Sequence, residues 1–212
     1  MRATSLPGGI VEDAELPLPA EEVYGMVMPD TARIWTREMV LALPDDGKRY
    51  ELFDGELLVT PAPTPRHQLA VALLGKLIGS YVDVHGLGIT MTSPADLDLD
   101  GEQLSQPDLF VLPGLPPDRL SWRGTPNPIL AVEILSPSTA AWDRGVKRRR
   151  FQRNGIPEYW IADLDARLIE RWRPADERPE ILDQRLEWHP AEAPVPLGID
   201  LPALFAEICG SV

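Results

Sequence analysis

Two acids and a lysine, Asp108, Glu133 and Lys147, are the residues of this 212-residue chain whose types and settings could do chemistry. Asp108 opens the apolar run Pro107-Asp108-Leu109-Phe110-Val111-Leu112, and Glu133 lies within Pro128-Ile129-Leu130-Ala131-Val132-Glu133-Ile134-Leu135. Both runs are rich in strand-forming residues, where a buried carboxylate is costly unless it is paired or holds a metal. Side by side on neighbouring strands, the two carboxylates would form a hard-oxygen site suited to Mg²⁺. Lys147 follows at the start of a basic helical stretch. Acid, acid and base beside a cationic surface is the equipment of metal-dependent phosphodiester cleavage. A plainer reading of Lys147 stands alongside, because Asp143 precedes it by four residues in the order of an ordinary surface ion pair.

The surrounding charges also have two readings. Arg144, Lys147, Arg148, Arg149, Arg150 and Arg153 place six of the 20 basic residues within ten positions. Such a cluster is an electrostatic footprint for the phosphate backbone of DNA, or else a solvated helix face. The net charge of −13 argues against broad, nonspecific nucleic-acid binding. His67 shares a helix face with Ala70 and Leu74, so it is either a core histidine or a group facing the site. Glu51 and Glu56 flank a hairpin turn, where carboxylates are most often solvated.

The elements that must position these groups can be read from periodicity. Thr36 caps a short helix over Arg37 to Leu43. Residues 50–53 and 56–60 read as a hairpin closed by a type I′ turn at Asp54-Gly55. Pro65 opens a helix of about five turns with the apolar stripe Ala70, Leu73, Leu74, Leu77, Ile78 and Tyr81, ending at Gly86 and Gly88. Strands follow over 89–92, 95–99 and 108–112, the last two joined by a turn at Asp100-Gly101. Residues 128–135 make a central strand buried on both faces. A helix from Thr139 to Arg153 ends at Asn154-Gly155, and 158–162 and 167–172 form a further hairpin. The order predicts a mixed α/β domain with a central sheet flanked by helices.

Length and composition set the outer bounds. One domain over residues 33–212 accounts for the chain, preceded by an acidic, proline-containing arm over 1–32. The 23 prolines fall largely between apolar runs and punctuate loops. The lone Cys209 leaves no internal disulfide. The start of the chain is broken by Pro7, Gly8 and Gly9, and no apolar run is long enough for a bilayer. The expectation is a soluble cytoplasmic protein with no membrane partner.

In order along the chain, Tyr50-Glu51-Leu52-Phe53-Asp54-Gly55-Glu56-Leu57, His67, Pro107-Asp108, Val132-Glu133-Ile134-Leu135-Ser136-Pro137-Ser138-Thr139, Asp143, Lys147 and Gly155-Ile156-Pro157-Glu158-Tyr159-Trp160 resemble the Uma2 family of endonucleases. That family belongs to the PD-(D/E)xK superfamily, and the resemblance covers about residues 35–205. It implies a restriction-endonuclease-like fold and hydrolysis of DNA. It also implies one Mg²⁺ or Mn²⁺ held by Asp108, Glu133 and the Ile134 carbonyl. The superfamily lysine two residues after the second acid is Leu135 here, so its role passes to Lys147 on the following helix. Glu56 is taken as the third acid, with Glu51 as its competitor, and His67 as an aid to proton transfer or phosphate binding. Arg144, Arg148, Arg149, Arg150 and Arg153 would hold the DNA. A homodimer could form through the strand near Arg167 to Trp172 or the apolar turn Leu201 to Ile208. The competing class is a catalytically degenerate nuclease fold kept for nucleic-acid or protein binding.

Overall fold

A computed structural model describes residues 34–210 except 45, 100, 102 and 117. The expected acidic arm over 1–32 lies outside the described residues. The chain starts with α1 (Arg37–Leu41), capped by the Thr36 hydroxyl, which accepts the Met39 N–H. β1 (Arg49–Phe53) and β2 (Glu56–Thr60) pair antiparallel as a separate hairpin. Asp54 and Gly55 between them both have positive φ, 51° and 83°, as the predicted turn demands.

α2 (Pro65–His85) follows, with Thr64 as its N-cap and Gly86 closing it in the left-handed region. Its buried face is His67, Ala70, Val71, Leu74, Ile78, Tyr81 and Val82. Leu73 is only partly buried and Leu77 is exposed, so the stripe is rotated slightly from the predicted one.

Beneath α2 lies a mixed six-stranded sheet. In chain order its strands are β3 (Ile89–Thr92), β4 (Leu109–Leu112), β5 (Leu130–Ile134), β6 (Glu158–Asp163), β7 (Leu168–Trp172) and β8 (Glu180–Leu182), and they neighbour one another in that same order. Only β5 and β6 run parallel. The connection between those two is helical, as a parallel pair requires. It comprises α3 (Ala140–Trp142), a π-helical turn (Asp143–Lys147) and α4 (Arg148–Arg153). The predicted single helix is therefore interrupted by one wider turn. β9 (Arg185–Trp188) and β10 (Leu197–Asp200) form a second separate ribbon, and α5 (Leu201–Cys209) closes the chain.

Alternation divides the sheet into two faces. Leu109, Val111, Leu130, Val132, Ile134 and Trp160 pack beneath α2, α5 and the β9–β10 ribbon. Ala131, Tyr159, Ile161 and Trp172 pack on the opposite face against Phe151 of α4. Glu133 alternates with Val132 and Ile134, so it points toward the side carrying the π turn.

Three expectations are corrected. Residues 95–99 do not form a sheet strand; they lie in the loop between β3 and β4 with one isolated bridge, Leu97 to Ser105. β3 reaches β4 directly, so the turn placed at Asp100-Gly101 does not join two sheet strands, and Asp100 is not among the described residues. Neither expected dimer surface is open. β7 is covered by β8, and Leu201, Leu204, Phe205 and Ile208 of α5 are buried in the main core.

Candidate active site

The β4–β5 register sets the two acids. Leu109 pairs with Val132 in an antiparallel ladder, which puts Asp108, one residue before, opposite Glu133, one residue after. Both are buried, Asp108 at 3% exposure and Glu133 at 2%. Asp108 stands just ahead of β4, where the ladder ends and other groups can approach. Its Oδ2 accepts the Ile134 N–H at 2.9 Å and lies 3.0 Å from His67 Nε2. Its Oδ1 accepts Arg49 Nη1 at 2.6 Å. Ile134, expected to offer its carbonyl, thus meets Asp108 through its N–H.

Glu133 faces the helical crossover. Lys147 Nζ is 3.0 Å from Glu133 Oε1, 3.0 Å from Glu51 Oε2 and 3.5 Å from Asp143 Oδ1. The lysine is therefore returned to the acids by the crossover, as its long stem permits, and Asp143 is no surface partner but a buried member of the cluster. The Asp143 Oδ2 accepts the Thr139 hydroxyl at 2.7 Å, and Tyr159 OH donates to the Asp143 carbonyl. The π turn widens the helix where Asp143 and Lys147 both turn inward, an irregularity common at functional sites.

Of the two hairpin acids, Glu51 joins the buried cluster and Glu56 stands outside it. The ladder pairs Glu51 with Leu58 and Phe53 with Glu56, so all four side chains share one face of the hairpin. Glu51 sits inward and fully buried, its Oε1 accepting the Gln106 N–H at 2.8 Å. Glu56 lies at the turn end of that face and is exposed, beyond Phe53 and Leu58, which pack on Trp142. The face alone was insufficient; position along it decides. Arg49 was not anticipated. Alternation on β1 from Glu51 was its only sequence signal.

Electrostatics follow from this packing. Burial pushes the Glu133 carboxyl well above the ordinary range, and the neighbouring acids add to it while Lys147 opposes. Asp143 is raised for the same first reason, against Lys147 and Thr139. Burial also acts to raise Asp108, but the bond from His67, the Arg49 guanidinium and the Ile134 N–H outweigh it and hold the carboxyl below the usual range. Burial disfavours the Lys147 ammonium, yet the acids around it prevail and raise its pKa well above that of a free lysine. Four buried carboxylates, those of Glu51, Asp108, Glu133 and Asp143, thus face two permanent cations, Arg49 and Lys147.

That excess of hard, negative oxygen suits a divalent cation in charge and donor type. Glu51 Oε2, although in ion-pair range of Lys147, lies outside hydrogen-bond geometry, and Asp143 Oδ1 also has no hydrogen-bond partner. Among the described residues, no three acidic, histidine or cysteine side chains converge on a single metal position. A cation at Asp108 would therefore have to displace Arg49 from it.

The predicted DNA-binding helix is largely committed to internal partners. Arg144 binds Glu170 and Asp163, and Arg148 stacks over Trp172 at 4.6 Å from the ring centroid. Arg150 and Arg153 both approach Asp54, at 3.3 and 3.9 Å. Arg149 is exposed, with no acidic partner among the described residues.

The buried acids Asp108 and Glu133 thus meet across the antiparallel strands β4 and β5, with a lysine returned to them by the crossover. The sequence matches the Uma2 family model, described as "Putative restriction endonuclease", over residues 37–203, and the chain belongs to that family. A crystal structure from Anabaena variabilis, described as a putative nuclease belonging to DUF820, superposes with a TM-score of 0.66. It covers 82% of this chain and 99% of its own at 21% identity, a likeness that establishes the fold. An uncharacterised protein of Synechocystis sp. is 30% identical over 114 residues, 54% of this chain. The chain spans about 60% of the length of that curated relative. Among the described residues, no helix is long and apolar enough to cross a membrane.

Proposed function

We propose that the protein is a metal-dependent endonuclease that hydrolyses phosphodiester bonds in DNA at Asp108 and Glu133. One observation carries this reading: two buried acids set opposite by strand register, with Lys147 delivered to the second of them at 3.0 Å. Asp108 and Glu133 would hold Mg²⁺ or Mn²⁺, which when bound lowers the pKa of a water and offsets charge on the phosphate. Lys147 keeps Glu51, Glu133 and Asp143 gathered and supplies positive charge beside the reacting phosphate. His67 orients Asp108 through Nε2, and its Nδ1 is buried without a partner. Burial of the whole cluster strengthens each of these interactions.

The test is a cleavage assay on supercoiled, linear, branched and single-stranded DNA with Mg²⁺ or Mn²⁺. Internal cuts that stop on adding EDTA are expected. No cleavage of any form with either ion would overturn the proposal, leaving the fold as a binding module.

A further inference from the structure

We propose that the backbone of one polynucleotide strand lies in a trough of two cavities meeting beside Asp108, held by Arg66, Arg49 and Lys48 rather than by the basic helix. The inference rests on the nuclease reading and says where, and in what form, its substrate binds. One cavity, of about 380 Å³, is lined by Arg49, Pro63, Arg66, His67, Ser136 and Ser138 among others. The second, of about 280 Å³, is lined by Lys48, Arg49, Pro63, His67, Gln68 and Asp108 among others. Arg49, Pro63 and His67 belong to both, so the two spaces adjoin across these residues, and Asp108 lines the second.

Charge is distributed along this trough as a backbone requires. Arg66 stands in the first cavity, Lys48 in the second and Arg49 between them. Arg66 pairs with Asp165 and Lys48 with Asp46, and the two basic side chains are 44% and 54% exposed. Exposed ion pairs of this kind are weak, so phosphates can take over both cations. Asp165 also lines the first cavity, and the strand would have to displace it from Arg66. The 21-residue helix α2 begins at this wall and adds its positive end. Two polar atoms in the shared wall are buried without partners, His67 Nδ1, on a residue only 8% exposed, and Arg49 Nε. Arg49 has one donor on Asp108, and a cation bound at Asp108 would free the guanidinium for a phosphate.

The dimensions favour a strand. Spaces of about 380 and 280 Å³ are on the scale of a few phosphates and sugars of one strand. Among the described residues, none lining either cavity is a Phe, Tyr or Trp, so these walls offer bases no stacking platform and the contact is to phosphate and sugar. Binding should accordingly depend little on base sequence. On the basic helix Arg144 is bound to Glu170 and Asp163 and Arg148 lies on Trp172, which leaves the exposed Arg149 and Arg153 as the competing surface.

The experiment compares Lys48→Gln/Arg66→Gln with Arg149→Gln/Arg153→Gln in the full chain. Affinity for a single-stranded oligonucleotide is measured across a salt series with Ca²⁺ in place of Mg²⁺, and cleavage is scored separately with Mn²⁺. Each lost phosphate contact on a single strand lowers the salt slope by about 0.7. The trough predicts weaker binding on every sequence and a flatter slope for Lys48→Gln/Arg66→Gln, with Arg149→Gln/Arg153→Gln close to the parent. The reverse pattern, or equal losses in both, overturns the trough even if the parent cleaves. Trough-dependent binding without cleavage would instead retain the trough and remove the nuclease reading. A parent chain that binds no strand removes both.

Discussion

Lys147 has three carboxylates within 3.5 Å and is 2% exposed, so its removal is first a stability event. From sequence alone, Lys147→Met is expected to fold, because Met keeps most of the aliphatic stem. The structure reverses that expectation. Taking the cation from a buried ion-pair cluster costs about 3–5 kcal/mol, and the deficit should depend on pH. Glu133 and Asp143 have raised pKa values, so their contribution is full below the ordinary carboxylate range and is lost as pH rises through the raised values. Urea melts should show the deficit of Lys147→Met largest at neutral pH and above, shrinking toward pH ~5. A pH-independent deficit would contradict the shared charge. Asp108 behaves oppositely: its lowered pKa gives stability above the ordinary carboxylate range that is lost as pH falls through the lowered value. Glu51→Gln should reduce cleavage by about 10²-fold, the scale of losing one electrostatic group. Glu56→Gln, at an exposed position, should leave the rate unchanged. Asp108 and Glu133 were legible because a carboxylate clashes with an apolar strand, whereas the roles of Lys147 and His67 came from the family resemblance. Glu51 and Glu56 could not be separated, since alternation gives a face and not a depth.

At the scale of elements, the crossover from β5 to β6 does most to build the site. Its basic sequence predicts one continuous helix, and propensity contains no signal for the π turn at Asp143–Lys147. That turn is set by tertiary demand, because Asp143 and Lys147 must both face Glu133. Gly145 within it has space: a Cβ there meets only Arg149 Nη1, at 4.0 Å. Gly145→Ala should therefore raise stability by about 0.4–1 kcal/mol, read as a higher denaturation midpoint with cleavage retained. Gly88 is the contrasting case, with φ at 138° and a would-be Cβ 1.9 Å from the Leu112 carbonyl oxygen. Gly88→Ala should destabilise by more than about 1 kcal/mol, because β3 must separate from the end of β4. Hairpins, helix caps and the central strand were readable from turn residues and periodicity. Residues 95–99 misled because short apolar alternation does not say whether a neighbouring edge is free, and β3 already occupies that side of β4.

For the whole molecule, the net charge of −13 opposes phosphate binding over most of the surface, and Arg144 and Arg150 of the basic helix are paired with acids. The order of elements predicted the mixed sheet and its flanking helices, but not that the β1–β2 hairpin stands apart as its own ribbon. That ribbon supplies Arg49, which was missed, and Glu51, which was left undecided against Glu56, so both share an origin with the missed topology. A divalent cation bound among four carboxylates should stabilise the fold by mass action. Mn²⁺ should raise the melting temperature of the parent and of Glu56→Gln, but not of Asp108→Asn. The most direct measurement is Mn²⁺-dependent cleavage of a labelled DNA by the parent chain and by Asp108→Asn, an isosteric change that keeps an oxygen for the Ile134 N–H. We predict internal cleavage by the parent, its loss in EDTA, and a fall of at least about 10²-fold in Asp108→Asn with DNA binding in Ca²⁺ retained. Cleavage by Asp108→Asn at the parent rate would contradict the assignment of the catalytic site.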